Sequence, residues 1–157
     1  MRTAIFLLLL AAALGYALWK GGGPEKSMAA ILGMMLLSDQ ALHLFVPVPY
    51  AMVDQGPLAI DIFGAVTTIA VALVAHRFWP MAAAVLQILP LVAHFCRAVD
   101  LAMHPAAYMV MQVAASWLLA PLIVLATWRH RRRLATTGSD RSWQSFSRRS
   151  NPNAQTL

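Results

Sequence analysis

The feature that most constrains this chain is a series of five long apolar stretches, separated by short breaks rich in glycine and proline. A helix needs about 20 mostly apolar residues to cross a membrane. Only 11% of the residues are charged, whereas a soluble domain usually carries about 25%. The sequence therefore predicts an all-α, polytopic transmembrane helical bundle of five helices. The predicted spans are residues 3–19, 28–45, 58–75, 81–96 and 106–128.

The basic residues concentrate near the C-terminus, where seven of the twelve Lys and Arg lie between residues 129 and 149. We therefore divide the chain into a transmembrane bundle, residues 1–128, and a basic tail, residues 129–157, which is polar enough to be disordered. Basic residues next to a span bind anionic lipids, so the net charge of +6 does not indicate a nucleic-acid partner. The residues expected at the lipid surface are Arg129, Arg131, Arg132 and Arg133.

The distribution of basic residues also predicts the orientation of the bundle. With five spans, seven of them fall on one side of the membrane and only Arg2 and Arg97 on the other. Because Lys and Arg are enriched on the cytoplasmic side, we expect the N-terminus outside and the C-terminus in the cytoplasm. We expect the membrane to be the inner (plasma) membrane of a bacterium. The cytoplasmic group comprises Lys20, Lys26, Arg77, Arg129, Arg131, Arg132 and Arg133.

An alternative concerns the first span, which also resembles a signal peptide. Arg2 precedes an apolar run, and Gly15-Tyr16-Ala17 has the small-x-small pattern of a cleavage site. Cleavage would leave four spans and would place the arginine run of residues 129–133 outside, against the charge rule. We therefore favour the uncleaved chain with five spans.

Polar residues inside the predicted spans gather near one face of the membrane. Ionisable groups are costly there, at roughly 2.5–3.5 kcal/mol each on insertion scales, so a group of them indicates either interhelical pairing or a functional cavity. The topology places them in the outer leaflet, and we expect little of this kind in the inner half apart from His76. This predicted polar cluster comprises Asp39, Gln40, His43, Asp61, His94, Arg97, Asp100 and His104.

Two functions follow most directly from this pattern. A short multi-pass chain without a soluble domain is typical of an accessory or assembly subunit of a larger membrane complex, or of a homo-oligomer. Alternatively, the chain is a small transporter or proton-linked permease. In that case Asp39 titrates, His43 relays the proton and Arg97 binds an anionic solute group.

A third hypothesis is a redox or metal-binding module. His43 and His94 lie at similar predicted depths and could ligate a b-type haem, or a divalent metal together with Asp39 and His104. A single cysteine, Cys96, excludes an intramolecular disulfide and a cysteine-rich metal site. No nucleotide-binding loop, metalloprotease helix or catalytic acid pair occurs in the sequence, so we do not expect an enzyme.

Overall fold

The residues that the structure describes fold into a bundle of five helices. The computed structural model describes residues 2–45, 55–99 and 105–144. In order, the helices are α1 (Arg2–Lys20), α2 (Gly23–Phe45), α3 (Gln55–Val74), α4 (Trp79–Val99) and α5 (Pro105–Thr137). The predicted all-α bundle is thus confirmed. Helices α4 and α5 continue through Pro90 and Pro121, respectively.

Four of the helices in the described part of the chain are long and apolar enough to cross a membrane. The apolar part of α1, Ala4–Lys20, is shorter than the other four. The four long segments are Gly23–Leu44, Gln55–Val74, Trp79–Val99 and Val110–Thr137.

Each helix packs against its neighbours in the sequence, and α5 closes the bundle by packing against α1 and also contacting α2. The core at the junction of α1, α2 and α5 contains many alanines, which let the helices approach closely. Most large aliphatic side chains face outward instead, as expected where lipid rather than water surrounds the helices. The core contains Leu10, Ala13, Leu14, Ala17, Met28, Ala29, Leu32, Ala83, Leu119, Ala120 and Ile123.

The structure differs from the predicted disordered tail over residues 129–144. Helix α5 continues nine residues beyond the predicted span, to Thr137. Gly138 ends it with a φ of 70°, a left-handed conformation that glycine adopts without strain, and its N–H donates to the carbonyl of Leu134. Residues 145–157 lie outside the described residues.

Residues 138–144, which we call the strap, fold back along the turn between α3 and α4. Ala75 and Trp143 form an isolated antiparallel bridge. The N–H of His76 donates to the carbonyl of Ser142 at 3.2 Å, and the N–H of Gln144 donates to the carbonyl of Val74 at 2.9 Å. Disorder was predicted because the segment is polar, but the carbonyl of Ser142 and the N–H of Gln144 are hydrogen-bonded to this turn.

The alternation of the helices gives the bundle two chemically different ends. We call the end that carries the α1–α2 turn, the α3–α4 turn and the strap the Gly21 end. We call the other end, where α2 and α4 finish, the Asp61 end. Trp19 is 78% exposed at the Gly21 end, where its amphipathic ring suits a membrane interface.

Candidate functional site

At the Asp61 end, three helices meet through polar side chains. Asp61 of α3 and His94 of α4 approach each other with Oδ2 and Nε2 3.0 Å apart. The side-chain nitrogen of Gln112, on α5, lies 2.9 Å from the same histidine nitrogen. His94 is buried and the Asp61 side chain is 15% exposed. Asp61 and His94, two members of the predicted polar cluster, thus contact each other, and the contact links α3, α4 and α5.

Gly64 makes room for a second polar contact one turn below Asp61. The side-chain amide of Gln87 donates to Sδ of Met35 at 3.0 Å, which joins α4 to α2. A Cβ on Gly64 would lie only 2.4 Å from that sulfur and 2.6 Å from the Gln87 amide nitrogen. The lack of a side chain at Gly64 therefore lets α2 and α4 meet across α3.

The other predicted members of the polar cluster are more exposed or lie elsewhere. His43 Nδ1 is 2.8 Å from the backbone carbonyl of Asp39 and 3.6 Å from its carboxylate, within one helix. Gln40 is exposed and lies next to Asp39, whereas Arg97 is half-buried in the last turn of α4. Asp100 and His104 lie outside the described residues.

The geometry around His94 bears on the metal and haem hypotheses. Its Nε2 faces both Asp61 and Gln112. His43 is exposed and bonded within its own helix. Within residues 2–45, 55–99 and 105–144, no three His, Cys, Asp or Glu side chains are grouped closely enough to hold a metal ion. The described donor set thus fits hydrogen bonding between helices better than ligation.

The Gly21 end holds a buried ionic network that the sequence did not predict. Arg77, in the turn between α3 and α4, donates through Nη1 to Oε1 of Glu25, in the first turn of α2. Through Nη2 it donates to Oδ2 of Asp140 in the strap, at 2.8 Å. The side chains of Glu25 and Arg77 are 0% and 2% exposed. One guanidinium therefore joins α2, the α3–α4 turn and the strap.

His130 and Trp79 complete this network, which we call the Arg77 network. His130 Nδ1 lies 2.7 Å from Asp140 Oδ2 and 3.0 Å from Arg77 Nη2. When His130 carries a hydrogen on Nδ1, this N–H donates to the Asp140 carboxylate, because the Arg77 guanidinium cannot accept a hydrogen bond. The indole N–H of Trp79 donates to Glu25 Oε1 at 3.1 Å. Trp79 thus binds the same carboxylate oxygen as Arg77.

Two atoms of the Arg77 network have no hydrogen-bond partner among the described residues. They are Oε2 of Glu25 and Nε of Arg77. Each side chain is held in place by its other hydrogen bonds. The network therefore fixes the positions of both side chains, although one buried polar atom of each has no partner among the described residues. Such buried pairs are sensitive to the loss of one partner.

Three consecutive glycines allow the Arg77 network and the strap to pack against the α1–α2 turn. A Cβ on Gly22 would lie 2.9 Å from the His130 ring, and one on Gly23 would lie 2.5 Å from Nε1 of Trp143. A Cβ on Gly21 would lie 2.3 Å from the carbonyl oxygen of Ala17. The sequence marks these glycines only as a break between helices, but each one also has to be small.

We expected the inner half of the bundle, which corresponds to the Gly21 end, to hold few ionisable groups apart from His76. That expectation is wrong. The sequence placed Glu25 and Arg77 in loops, and His130 and Asp140 in a disordered tail. These residues were therefore not expected to lie at the same depth in the membrane. The sequence signal was the isolated Glu25, an acid among basic residues at the start of α2. His76 itself is exposed.

The comparisons with known proteins give no family for this chain. No protein-family model, no curated protein and no solved structure matches it.

Proposed function

We propose that this protein is a non-catalytic subunit that supports the assembly of a larger membrane complex. The observation that carries the proposal is the pairing of its ionisable groups. Asp61 faces His94, and Glu25 and Asp140 both accept from Arg77, so these charges connect α3 to α4, and connect α2 and the strap to the α3–α4 turn. A bundle braced at both ends suits a scaffold better than a protein that must open alternately to each side of a membrane.

The proposed orientation keeps the Gly21 end in the cytoplasm of a bacterial cell. Exposed basic side chains at that end support it, since they are enriched on the cytoplasmic side of membranes. Arg77 contributes less to this argument than its position suggested, because it is buried between two carboxylates. The exposed basic residues are Lys26, Arg129, Arg131, Arg132, Arg133 and Arg141.

The experiment follows the chain and its partners in the native membrane. The tagged full-length protein, extracted in a mild detergent, should keep the same partner polypeptides in constant stoichiometry through two separations. Deleting the gene should lower the abundance of those partners, because an unassembled complex is degraded. A chain that purifies alone, with no change in other membrane proteins on deletion, contradicts the proposal.

The alternative is a proton-linked transporter, which the contact between Asp61 and His94 favours. The Asp61 side chain is 15% exposed and that of Asp39 is 42% exposed, so Asp61 is the stronger candidate for a titrating group. Proteoliposomes containing the purified protein would show proton flux that Asp61→Asn abolishes and the control Asp39→Asn preserves. Under the assembly proposal, the wild-type protein carries no such flux.

A further inference from the structure

An apolar groove runs along the surface between α1 and α5. Its volume is about 550 Å³. Ala13 and Ala120 are buried at its base, where their small side chains leave space between the two helices. Phe6 and Trp117 line it and contact each other, with ring centroids 5.1 Å apart. The groove therefore presents an apolar channel to the membrane interior.

A basic pocket of about 440 Å³ continues this groove toward the Gly21 end. The two share Leu125 and Trp128 as lining residues. Beyond Trp128, the pocket is lined by three arginines and a threonine. These residues are Arg129, Arg132, Arg133 and Thr136.

The arginines near this pocket differ in their contacts with other side chains. The Arg132 guanidinium lies over the Trp128 ring, 5.6 Å from its centroid. Arg133 is shared with the strap, since its Nε is 3.5 Å from Asp140 Oδ2. Arg129 and Arg132 are both exposed, whereas Arg131 is not among the residues that line the pocket. The arginines of residues 129–133 thus lie on two different faces of α5.

The length of the groove matches one leaflet of a membrane. Trp117 and Trp128 are eleven residues apart on α5, which at about 1.5 Å per residue is roughly 16 Å. Half of a hydrocarbon core of about 30 Å is roughly 15 Å. An apolar segment of leaflet length that ends at a cluster of guanidinium groups complements a molecule with an acyl chain and an anionic head.

We propose that this continuous groove is a binding site for an anionic phospholipid. One acyl chain lies between α1 and α5, and the phosphate lies against Arg129 and Arg132. Guanidinium groups bind phosphate oxygens in bidentate geometry, and their positive charge repels the ammonium group of a zwitterionic lipid, so the pocket favours an anionic headgroup. This site goes beyond the proposed assembly role, because it assigns a ligand that the protein binds whether or not a partner is present.

The first test removes charge from the pocket. Full-length protein in detergent is mixed with equal amounts of phosphatidylglycerol and phosphatidylcholine of the same chain length, and the retained lipid is measured by native mass spectrometry. The wild-type protein should prefer phosphatidylglycerol, and Arg129→Gln with Arg132→Gln should lower its retention by about tenfold or more. The matched control, Arg131→Gln with Arg141→Gln, removes the same charge elsewhere and should keep the preference.

The second test fills the apolar part of the groove without changing charge. Val124, which is 40% exposed, lines the groove, so Val124→Trp should lower the retention of phosphatidylglycerol. Val113→Trp, at a site on α5 that is 48% exposed, is the matched control and should retain the lipid. Glycerol 3-phosphate should not displace the lipid, because it lacks the acyl chain.

Two results would overturn the proposal. Equal retention of both lipids by the wild-type protein would exclude a headgroup site. An equal loss of bound phosphatidylglycerol in the two double variants would show that the preference depends on general surface charge and not on this pocket. All four arginines are exposed, so their replacement leaves the bundle packing intact, and a gel-filtration profile verifies this for each variant. If Val124→Trp misfolds, the arginine pairs decide the outcome alone.

Discussion

Glu25 and Arg77, which are 52 residues apart in the sequence, form a buried ion pair that joins the start of α2 to the turn between α3 and α4. The same guanidinium also binds Asp140 of the strap. Three segments that are distant in sequence thus depend on one side chain. The Arg77 network holds the Gly21 end together, and the first prediction follows from it.

Replacing Arg77 with methionine should destabilise the bundle by about 3–5 kcal/mol, because Glu25 and Asp140 are left buried without their cation. The free energy of unfolding can be measured by reversible denaturation in mixed detergent micelles. Arg131→Met, at an exposed site, is the control and should change it by less than about 0.5 kcal/mol. Combining Arg77→Met with Glu25→Leu should recover part of the loss. A double variant less stable than Arg77→Met would contradict this view of the pair.

Introducing alanine at Gly23 should loosen the strap, because its Cβ would lie 2.5 Å from Trp143 Nε1. Trypsin should then cleave after Arg141 several times faster than in the wild-type protein, since the strap is released from the α3–α4 turn. Gly33→Ala is the matched control, as nothing lies within 4 Å of a Cβ at that position. The control should be neutral, or more stable by about 0.5–1 kcal/mol. Equal cleavage rates in both variants would show that the strap does not need this glycine.

Thr68→Val should stabilise the protein by about 1–3 kcal/mol. Thr68 is fully buried in α3, and its hydroxyl oxygen has no hydrogen-bond partner among the described residues. Valine has nearly the same shape and removes the unpaired polar atom. The neighbouring Thr67→Val is the control, because the Thr67 hydroxyl donates to the carbonyl of Phe63 at 2.6 Å and has no such penalty to relieve. Thermal unfolding of the two variants compares them, and a lower melting temperature for Thr68→Val would refute the prediction.

His94→Leu should destabilise the Asp61 end by about 1–3 kcal/mol, because it leaves the Asp61 carboxylate without its partner. His43→Leu should have an effect below about 0.5 kcal/mol, since His43 is exposed and bonded only within α2. Unfolding in mixed micelles again provides the measurement. Similar losses in the two variants would mean that the contact between α3 and α4 does not stabilise the bundle.

The apolar stretches of the chain were sufficient to predict five helices and most of their bounds. Helix length follows from the spacing of glycine and proline breaks, which act locally. The same local reasoning predicted a common depth for Asp61 and His94, because consecutive helices of alternating direction bring their ends to the same side. It predicted less well where a residue depends on a partner in another segment, as Arg77 and Asp140 show.

What the sequence by itself determined is the class of protein: a helical bundle with an apolar surface and exposed basic residues beyond the last span. Only the tertiary structure decided which polar residues pair. Glu25, Arg77, His130 and Asp140 lie in a helix start, a turn, a helix extension and a strap, and no local pattern links them. They meet because Gly21, Gly22 and Gly23 leave space at the α1–α2 turn. A glycine break has the same appearance in a sequence whether it ends a helix or admits a neighbour, and only the packed neighbour distinguishes the two.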